Sequence, residues 1–492
     1  MRASELAATP SARAARGAWY TPRDAADAIT ALAFGTPDDD PITSTTNLPR
    51  FMVDPTCGGG AFLLAALDAF VARGLPPVDA LRRVAGLDID EDAVAIARRV
   101  IGLWARRHGV ATHAVSGAVV VGDALGPWPA AWPTPDLILG NPPFASPLRS
   151  AAGPAGLPSA AIEFRDRHRR DLGPYADLAA IHLLNAAQRV DARCGRLALV
   201  LPQSVLAGRD AASLRSWIDS TMPVEEMWIT GDRIFDANVR VCAPVLARSA
   251  SRRQTGRRDQ SWAERAADAS DLPRHGIIDD AGRLGSLCST TAGFRDEYYG
   301  LAAACVEAVE GDLRARLATV GSIDPLMSHW GVAPTRFAKR RWHRPVVDEA
   351  LLPDGIRSWF DRQRRPKVLL PTQARILEPF VDRDGSVMPV TPLISIFAEP
   401  DGLDHIAALL LAPNIVAWAA RRSFGSALAT NAIKLRANDV LEVPLPPVGS
   451  FWDRAAALVP EGPAAVEEIA SLMLQSFGGD ASLLTWWQQR KR

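Results

Sequence analysis

The sequence predicts an α/β fold with a mostly parallel sheet, followed by a separate region of less regular pattern, and three observations predict it. Short apolar runs alternate with longer helical patterns from Phe51 to Leu246, as in strands joined by crossover helices. A glycine-rich turn, Asp54-Pro55-Thr56-Cys57-Gly58-Gly59-Gly60, stands between one apolar run and a helical segment. After residue 248 the chain turns polar and arginine-rich, and beyond that stretch the periodicity is irregular.

Residues 1–16 are rich in Ala and Arg, carry no core pattern and read as a loose N-terminus. Gly17-Ala18-Trp19-Tyr20-Thr21-Pro22 then opens a helix, with Thr21 as N-cap and Pro22 at the first helical position. Phe51-Met52-Val53 is the first strand, and the helix beginning at Ala61-Phe62-Leu63-Leu64 follows its glycine turn. Glycines let that turn close tightly on a ligand, and the helix N-terminus supplies unpaired N–H groups. Val84 to Asp90 reads as a second strand ending in an acid, with Asp90 capping a helix from Glu91 to Arg107. A third apolar run, Ala118 to Val121, ends at Gly122-Asp123-Ala124-Leu125. A fourth, Asp136 to Gly140, leads directly into Asn141-Pro142-Pro143-Phe144. Ligands in open α/β sheets bind at the carboxyl ends of strands, so the glycine turn and the Asn-Pro-Pro-Phe loop are expected to meet there.

The alternation continues beyond that loop. Residues 145–173, rich in Pro, Gly and Arg, suit a loop at a substrate edge. A helix is expected from Ala176 to Val190, a strand from Arg196 to Leu201, and two more near Glu226–Ile229 and Val239–Leu246. The expected division is one domain over 17–248, a linker over 249–275, a second domain over 276–450 and a helical tail over 451–492.

A chain of 492 residues accommodates two or three domains. Its 48% hydrophobic and 22% charged content fits an ordinary soluble protein. No stretch approaches the roughly 20 apolar residues of a membrane span, and the N-terminus lacks an apolar signal core. Cys57, Cys194, Cys242, Cys288 and Cys305 form no Cys-x-x-Cys pair, which argues against zinc or a disulfide framework. The eight histidines show no ligand spacing. The expectation is a cytoplasmic protein without metal or membrane partner. A net charge of zero weighs against a nucleic-acid binder, but basic residues cluster locally. The clusters are Arg248, Arg252, Arg253, Arg257 and Arg258; then Arg336, Lys339, Arg340, Arg341 and Arg344; then Arg362, Arg364, Arg365 and Lys367. Each alone suits a solvated face; together, downstream of the two loops, they favour phosphate contact.

The glycine turn paired with Asn141-Pro142-Pro143-Phe144 resembles the cofactor and catalytic loops of amino-directed DNA methyltransferases. Their order is similar to that of the gamma class typified by the Taq adenine-N6 enzyme. The resemblance is close over the first half of the chain and loose over the second. It implies a Rossmann-like adenosylmethionine-dependent methyltransferase domain followed by an α+β target-recognition domain. Within that second region, Thr290 to Tyr299, Arg365 to Pro371 and Asn431 to Leu435 resemble parts of recognition domains. The resemblance implies S-adenosylmethionine as cofactor, held by Tyr20, Thr21, Pro22, Asp54, Pro55, Cys57, Gly58, Gly60, Asp88, Ile89, Asp123, Ala124, Leu125 and Asn141. Asp88 matches the ribose acid and Asp123 the acceptor for the cofactor's adenine amino group, with Leu125 against its ring. It implies catalysis by Asn141, Pro142, Pro143 and Phe144, with Phe144 and Phe235 stacking on a target base. Double-stranded DNA is the implied substrate, and a separate restriction or defence subunit a possible partner. Thr56 and Gly59 depart from the family's usual residues but keep the turn small. Cys57 could acquire a lowered thiol pKa at a helix N-terminus, though lining the pocket suits it better.

Those residue types suit the chemistry. An exocyclic amine is a weak nucleophile because its lone pair is delocalised into the ring. The Asn141 side-chain oxygen and the Pro142 carbonyl can accept its two N–H bonds and localise that pair, without either being ionised. Two prolines fix the loop, and Phe144 can stack on a base flipped from the duplex. Alternatives sharing the loop are RNA or protein-glutamine methyltransferases; a different class is a non-catalytic DNA-binding subunit. Cytosine-C5 chemistry lacks its Pro-Cys, and no Gly-Lys-Ser/Thr follows the glycine turn to make it an ATP loop.

Overall fold

The computed structural model describes residues 21–35, 48–111, 118–145, 156–230, 239–248, 260–277, 281–426, 432–447 and 449–491. The chain divides into two compact units, Met1–Asp271 and Leu272–Arg492.

The first unit is built on one twisted sheet. Strands β1 (Met52–Asp54), β2 (Val84–Asp88), β3 (Val119–Val121), β4 (Leu137–Gly140) and β5 (Arg196–Leu199) are parallel neighbours in the order β3-β2-β1-β4-β5. A short β6 (Leu201–Pro202) and β7 (Val224–Ile229) both pair antiparallel with β8 (Val241–Ala247), which itself runs antiparallel to β5. The central strands are buried throughout, as a sheet covered on both faces requires. Helices α1 (Arg23–Phe34), α2 (Ala61–Ala72), α3 (Pro77–Arg82), α4 (Glu91–Arg107), α5 (Ser159–Arg167), α6 (Leu178–Arg189) and α7 (Ala212–Thr221) make the crossovers and coverings.

Local chemistry explains the element boundaries. Asp90 caps α4 as its sequence indicates, its carboxylate accepting from the N–H groups of Asp92 and Ala93. The start of α1 differs by one residue from expectation. Pro22 itself occupies the N-cap position and the helix begins at Arg23, so Thr21 makes no cap. The expected linker also needs correction, because Trp262–Ala269 forms a helix, α8, belonging to the first unit. Trp262 is buried and donates its Nε1–H to Asp219 at 2.8 Å. Ser261 and Glu264 close a capping box at its start, and Ala263, Ala266 and Ala267 are buried at helical spacing.

The second unit is α+β. One four-stranded sheet is antiparallel throughout, in the order Phe380–Asp382, Lys367–Pro371, Leu393–Phe397 and Ser289–Ala292. Another places Pro345–Val347 between Cys305–Glu307 and Arg316–Ala318, with Val387–Pro389 on the far side of Arg316–Ala318. Helices Leu403–Leu411, Pro413–Arg422, Ser450–Leu458, Val466–Ser476 and Ala481–Lys491 enclose the largest apolar cluster. Trp487 is wholly buried in that cluster. Among the described residues no single helix is long and apolar enough to cross a membrane.

Candidate active site

Chain order places the site. From β1 the chain moves outward to β2 and β3, then returns to the other side of β1 as β4. The crevice beyond the carboxyl ends of β1 and β4 is the switch point at which open α/β sheets bind ligands. Asp54 ends β1, and Asn141 follows β4 directly. Val53 lies level with Ile138, so the two loops leave the sheet side by side. A Cβ added to Gly140 would fall 2.7 Å from Asp54 Oδ1 and 3.4 Å from Thr56 Oγ1. The glycine turn and the Asn-Pro-Pro-Phe loop thus share one rim, with Gly140 close against Asp54 and Thr56.

The glycine turn is held by its own backbone. Cys57 N–H donates to the Leu87 carbonyl at 2.9 Å, and Gly60 N–H to the Cys57 carbonyl at 2.8 Å. Gly58 (φ +48°) and Gly60 (φ +88°) are left-handed, and Gly60 immediately precedes α2. Asp88, at the end of β2, accepts from Gly58 N–H at 2.8 Å through Oδ2 and from Asp90 N–H at 2.9 Å through Oδ1. Burial raises its pKa, and those amides act in the opposite direction. Asp54 is fully buried and accepts from Thr56 N–H at 3.0 Å. Burial pushes its carboxyl well above the usual range, and the charge of Asp88 adds to the effect. The Cys57 thiol is likewise pushed well up by burial, then by Asp54 and Asp88. Its position before a helix therefore does not make it a reactive thiolate.

The third loop is buttressed from α6. Asp123 Oδ1 accepts from Leu125 N–H at 2.9 Å. The Ala124 carbonyl accepts from Asn185 Nδ2 and Trp128 Nε1, each at 2.9 Å. Arg189 donates to the Gly126 carbonyl and to Asn185 Oδ1, while its guanidinium lies 4.8 Å from the Trp128 ring centroid. His182, one turn before Asn185, is buried; desolvation lowers its pKa to about 4 against the pull of Asp123, so it is neutral at pH 7. Sequence reasoning missed His182, Asn185 and Arg189. The available signal was a pair of polar residues, three apart, inside an otherwise Ala- and Leu-rich helix.

Pro142 is buried, while Asn141, Pro143 and Phe144 are half-buried. Phe144 packs against the cluster that contains Met52, Cys57 and Phe62. The loop's end is pinned where Leu178 N–H donates to the Ala145 carbonyl at 3.0 Å. Thr56 Oγ1 is buried with no hydrogen-bond partner among the described residues, a feature sequence reasoning passed over. Ile89, beside the ribose-acid candidate Asp88, leaves 74% of its surface exposed. Thr21 and Pro22 precede α1, whose Arg23 pairs with Asp68 about two turns into α2. Tyr20 and Phe235 lie outside the described residues. Among the described residues, no group of three or more His, Cys, Asp or Glu side chains could hold a metal ion.

No protein-family model matches the sequence, and no curated protein matches it. Solved structures are similar. The chain resembles one in the cryo-EM structure of the DrdV–DNA complex at 12% identity and TM-score 0.51, over 92% of this chain and 57% of that one. It is more loosely similar to the type IIG restriction endonuclease BpuSI, at 11% identity and TM-score 0.42, over 96% and 65% of the two chains. A type I restriction-modification methyltransferase subunit from Streptococcus thermophilus is similar at 23% identity and TM-score 0.34, over 47% and 45%. The chain spans less than two thirds of each of these structures. The likeness to the DrdV chain concerns the fold alone.

Proposed function

We propose that this protein is a site-specific DNA methyltransferase that transfers a methyl group from S-adenosylmethionine to the N6 amino group of a flipped-out adenine. The observation that carries this reading is the meeting of the Asp54 turn and the Asn141 loop at one switch-point rim, with Gly140 against Asp54. The second unit is proposed to recognise the DNA, within a restriction-modification or phage-defence setting that supplies any nuclease as a separate subunit.

The residues present fit the cofactor. Gly58 and Gly60 open the turn, Thr56 Oγ1 is a buried hydroxyl without a partner, and Ile89 offers an exposed apolar face beside Asp88. Asp88 would accept from the ribose hydroxyls with the lone pairs its backbone donors leave. Asp123 would accept from the adenine amino group, with Ala124 and Leu125 beside the ring. When bound, S-adenosylmethionine supplies an activated methyl group. The chain's own task is then orientation and electrostatic stabilisation of charge growing on the nucleophilic nitrogen. Asn141 accepts one N–H of the amine through its side-chain oxygen, and Pro142 accepts the other through its carbonyl. Pro143 stiffens the loop, and Phe144 stacks on the base. Phe235 is proposed as a second stacking ring, and Tyr20, Thr21 and Pro22 as a cover for the cofactor.

Single-molecule sequencing of DNA from a methylation-free host expressing the protein tests this directly. N6-methyladenine at one recurrent motif is expected. Unmodified DNA together with methylated RNA or glutamine would select the other enzymes that share the loop.

A further inference from the structure

Of the three basic clusters, the first is described only at Arg248, and three residues of the third are engaged within the fold. Arg248 donates to the Ala187 and Thr221 carbonyls. Lys367 is wholly buried against Asp382, so it is a core ion pair and not the phosphate contact its sequence neighbourhood suggested. Arg364 pairs with Glu349 at 2.5 Å, and the Arg365 guanidinium lies 4.5 Å from the Phe397 ring centroid. The second cluster differs. It forms an antiparallel hairpin of Thr335–Phe337 with Arg340–Trp342.

One face of that hairpin is packed down. Thr335, Phe337 and Trp342 are buried, and Arg340 lies over the Trp342 ring at 4.4 Å. The other face carries Arg336 directly opposite Arg341, both exposed. Like charges opposed across a ladder destabilise it. Among the described residues no carboxylate lies within ion-pair reach of Arg336, Lys339, Arg340, Arg341 or Arg344. The nearby Glu307 is occupied by the backbone N–H groups of His343 and Arg344. The turn adds a second cost. Ala338 (φ +49°) and Lys339 (φ +63°) are both left-handed, where two-residue hairpins ordinarily place Asn-Gly. Opposed cations with no carboxylate partner among the described residues, on a strained tip, would be relieved by a bound polyanion.

We propose that the exposed face of the Thr335–Trp342 hairpin binds the phosphate backbone of duplex DNA, with Arg336 and Arg341 as phosphate ligands and Lys339 at the tip. A two-stranded ribbon has the width a major groove admits, and guanidinium groups suit phosphate oxygens. The proposal rests on the DNA-methyltransferase reading above and names the surface that holds the duplex.

The test compares the full-length protein with R336Q/R341Q by fluorescence anisotropy on a duplex, between about 50 and 200 mM salt. R357Q/R383Q removes equal charge from arginines already paired with Asp354 and Asp404, and serves as the control. The expected result is about tenfold weaker binding or more for R336Q/R341Q, a salt slope smaller by about two, and a near-wild-type control. The loss should be uniform over unrelated sequences, and the melting temperature equal to or above that of wild type because a repulsion is removed. A wild-type affinity and slope for R336Q/R341Q would overturn the hairpin assignment while leaving the enzyme reading intact. Failure of the wild-type protein to bind duplex at all would overturn that reading itself. A slope loss confined to duplex RNA would overturn DNA as the occupant.

Discussion

Gly140 and Asp54 approach so closely that one methyl group between them would fall 2.7 Å from a carboxylate oxygen. The position therefore tolerates no side chain without displacing Asp54, whose buried carboxyl anchors the glycine turn through Thr56 N–H. Gly140→Ala is expected to cost about 1–3 kcal/mol of stability by overpacking. It should also weaken S-adenosylmethionine binding at least about tenfold, near 1.4 kcal/mol. Gly355→Ala, where nothing lies within 4 Å of the new Cβ, should do neither. Thermal melts and calorimetric titration decide it, and an unperturbed Gly140→Ala would show that the two loops do not constrain one another.

The Lys367–Asp382 pair is the most buried charge pair described, its side chains 0% and 1% exposed. Lys367 also donates to the Gln363 carbonyl at 2.7 Å, and Asp382 accepts from Val387 N–H at 3.1 Å. Removing one partner strands the other charge. Asp382→Asn is expected to lose about 3–5 kcal/mol in urea unfolding, and adding Lys367→Met to recover at least about 1 kcal/mol of it. A loss under about 1 kcal/mol for the single variant would show that water reaches the ammonium.

Much of the first unit was legible because its strands are short, apolar and separated by helices with explicit caps. Asp90 is an example, since a carboxylate followed by Glu-Asp-Ala-Val marks a helix start that the structure keeps. The site's rim was legible for the same reason: both loops follow apolar runs, and parallel strands bring such ends together. Less of the support was visible. Asn185 and Arg189 act on backbone carbonyls some 60 positions earlier in the chain, and a carbonyl leaves no trace in sequence. The helix from Trp262 was masked by its polar, arginine-rich surroundings, although Ser261-x-x-Glu264 is a capping-box signature. In the second unit many strands are two or three residues long, too short for period-two alternation to register. Lys367 shows the limit most sharply, because residue type alone cannot distinguish a surface cation from one buried beside Asp382.

Stability should carry a pH signature from Glu378. Burial, with a smaller push from Asp324, raises its carboxyl from 4.5 to about 7. Between those values the folded state retains a proton that the unfolded chain has released, so this contribution is full below pH 4.5 and lost as pH rises to 7. Glu378→Gln mimics the protonated group at every pH. Its melting temperature relative to wild type should therefore climb from pH 4.5 to 7 and then level off. Parallel melting curves across that window would contradict the assignment.

The most direct test of the proposed chemistry is single-turnover transfer of labelled methyl to duplex DNA by Asn141→Ala, beside calorimetry of its cofactor binding. Transfer should fall by about a thousandfold or more, on the scale of losing a positioned transition-state contact, while the cofactor Kd stays within about threefold of wild type, under 1 kcal/mol. Wild-type transfer by this variant would contradict the role given to the asparagine, and loss of cofactor binding without a separate effect on transfer would contradict the division of labour between the two loops.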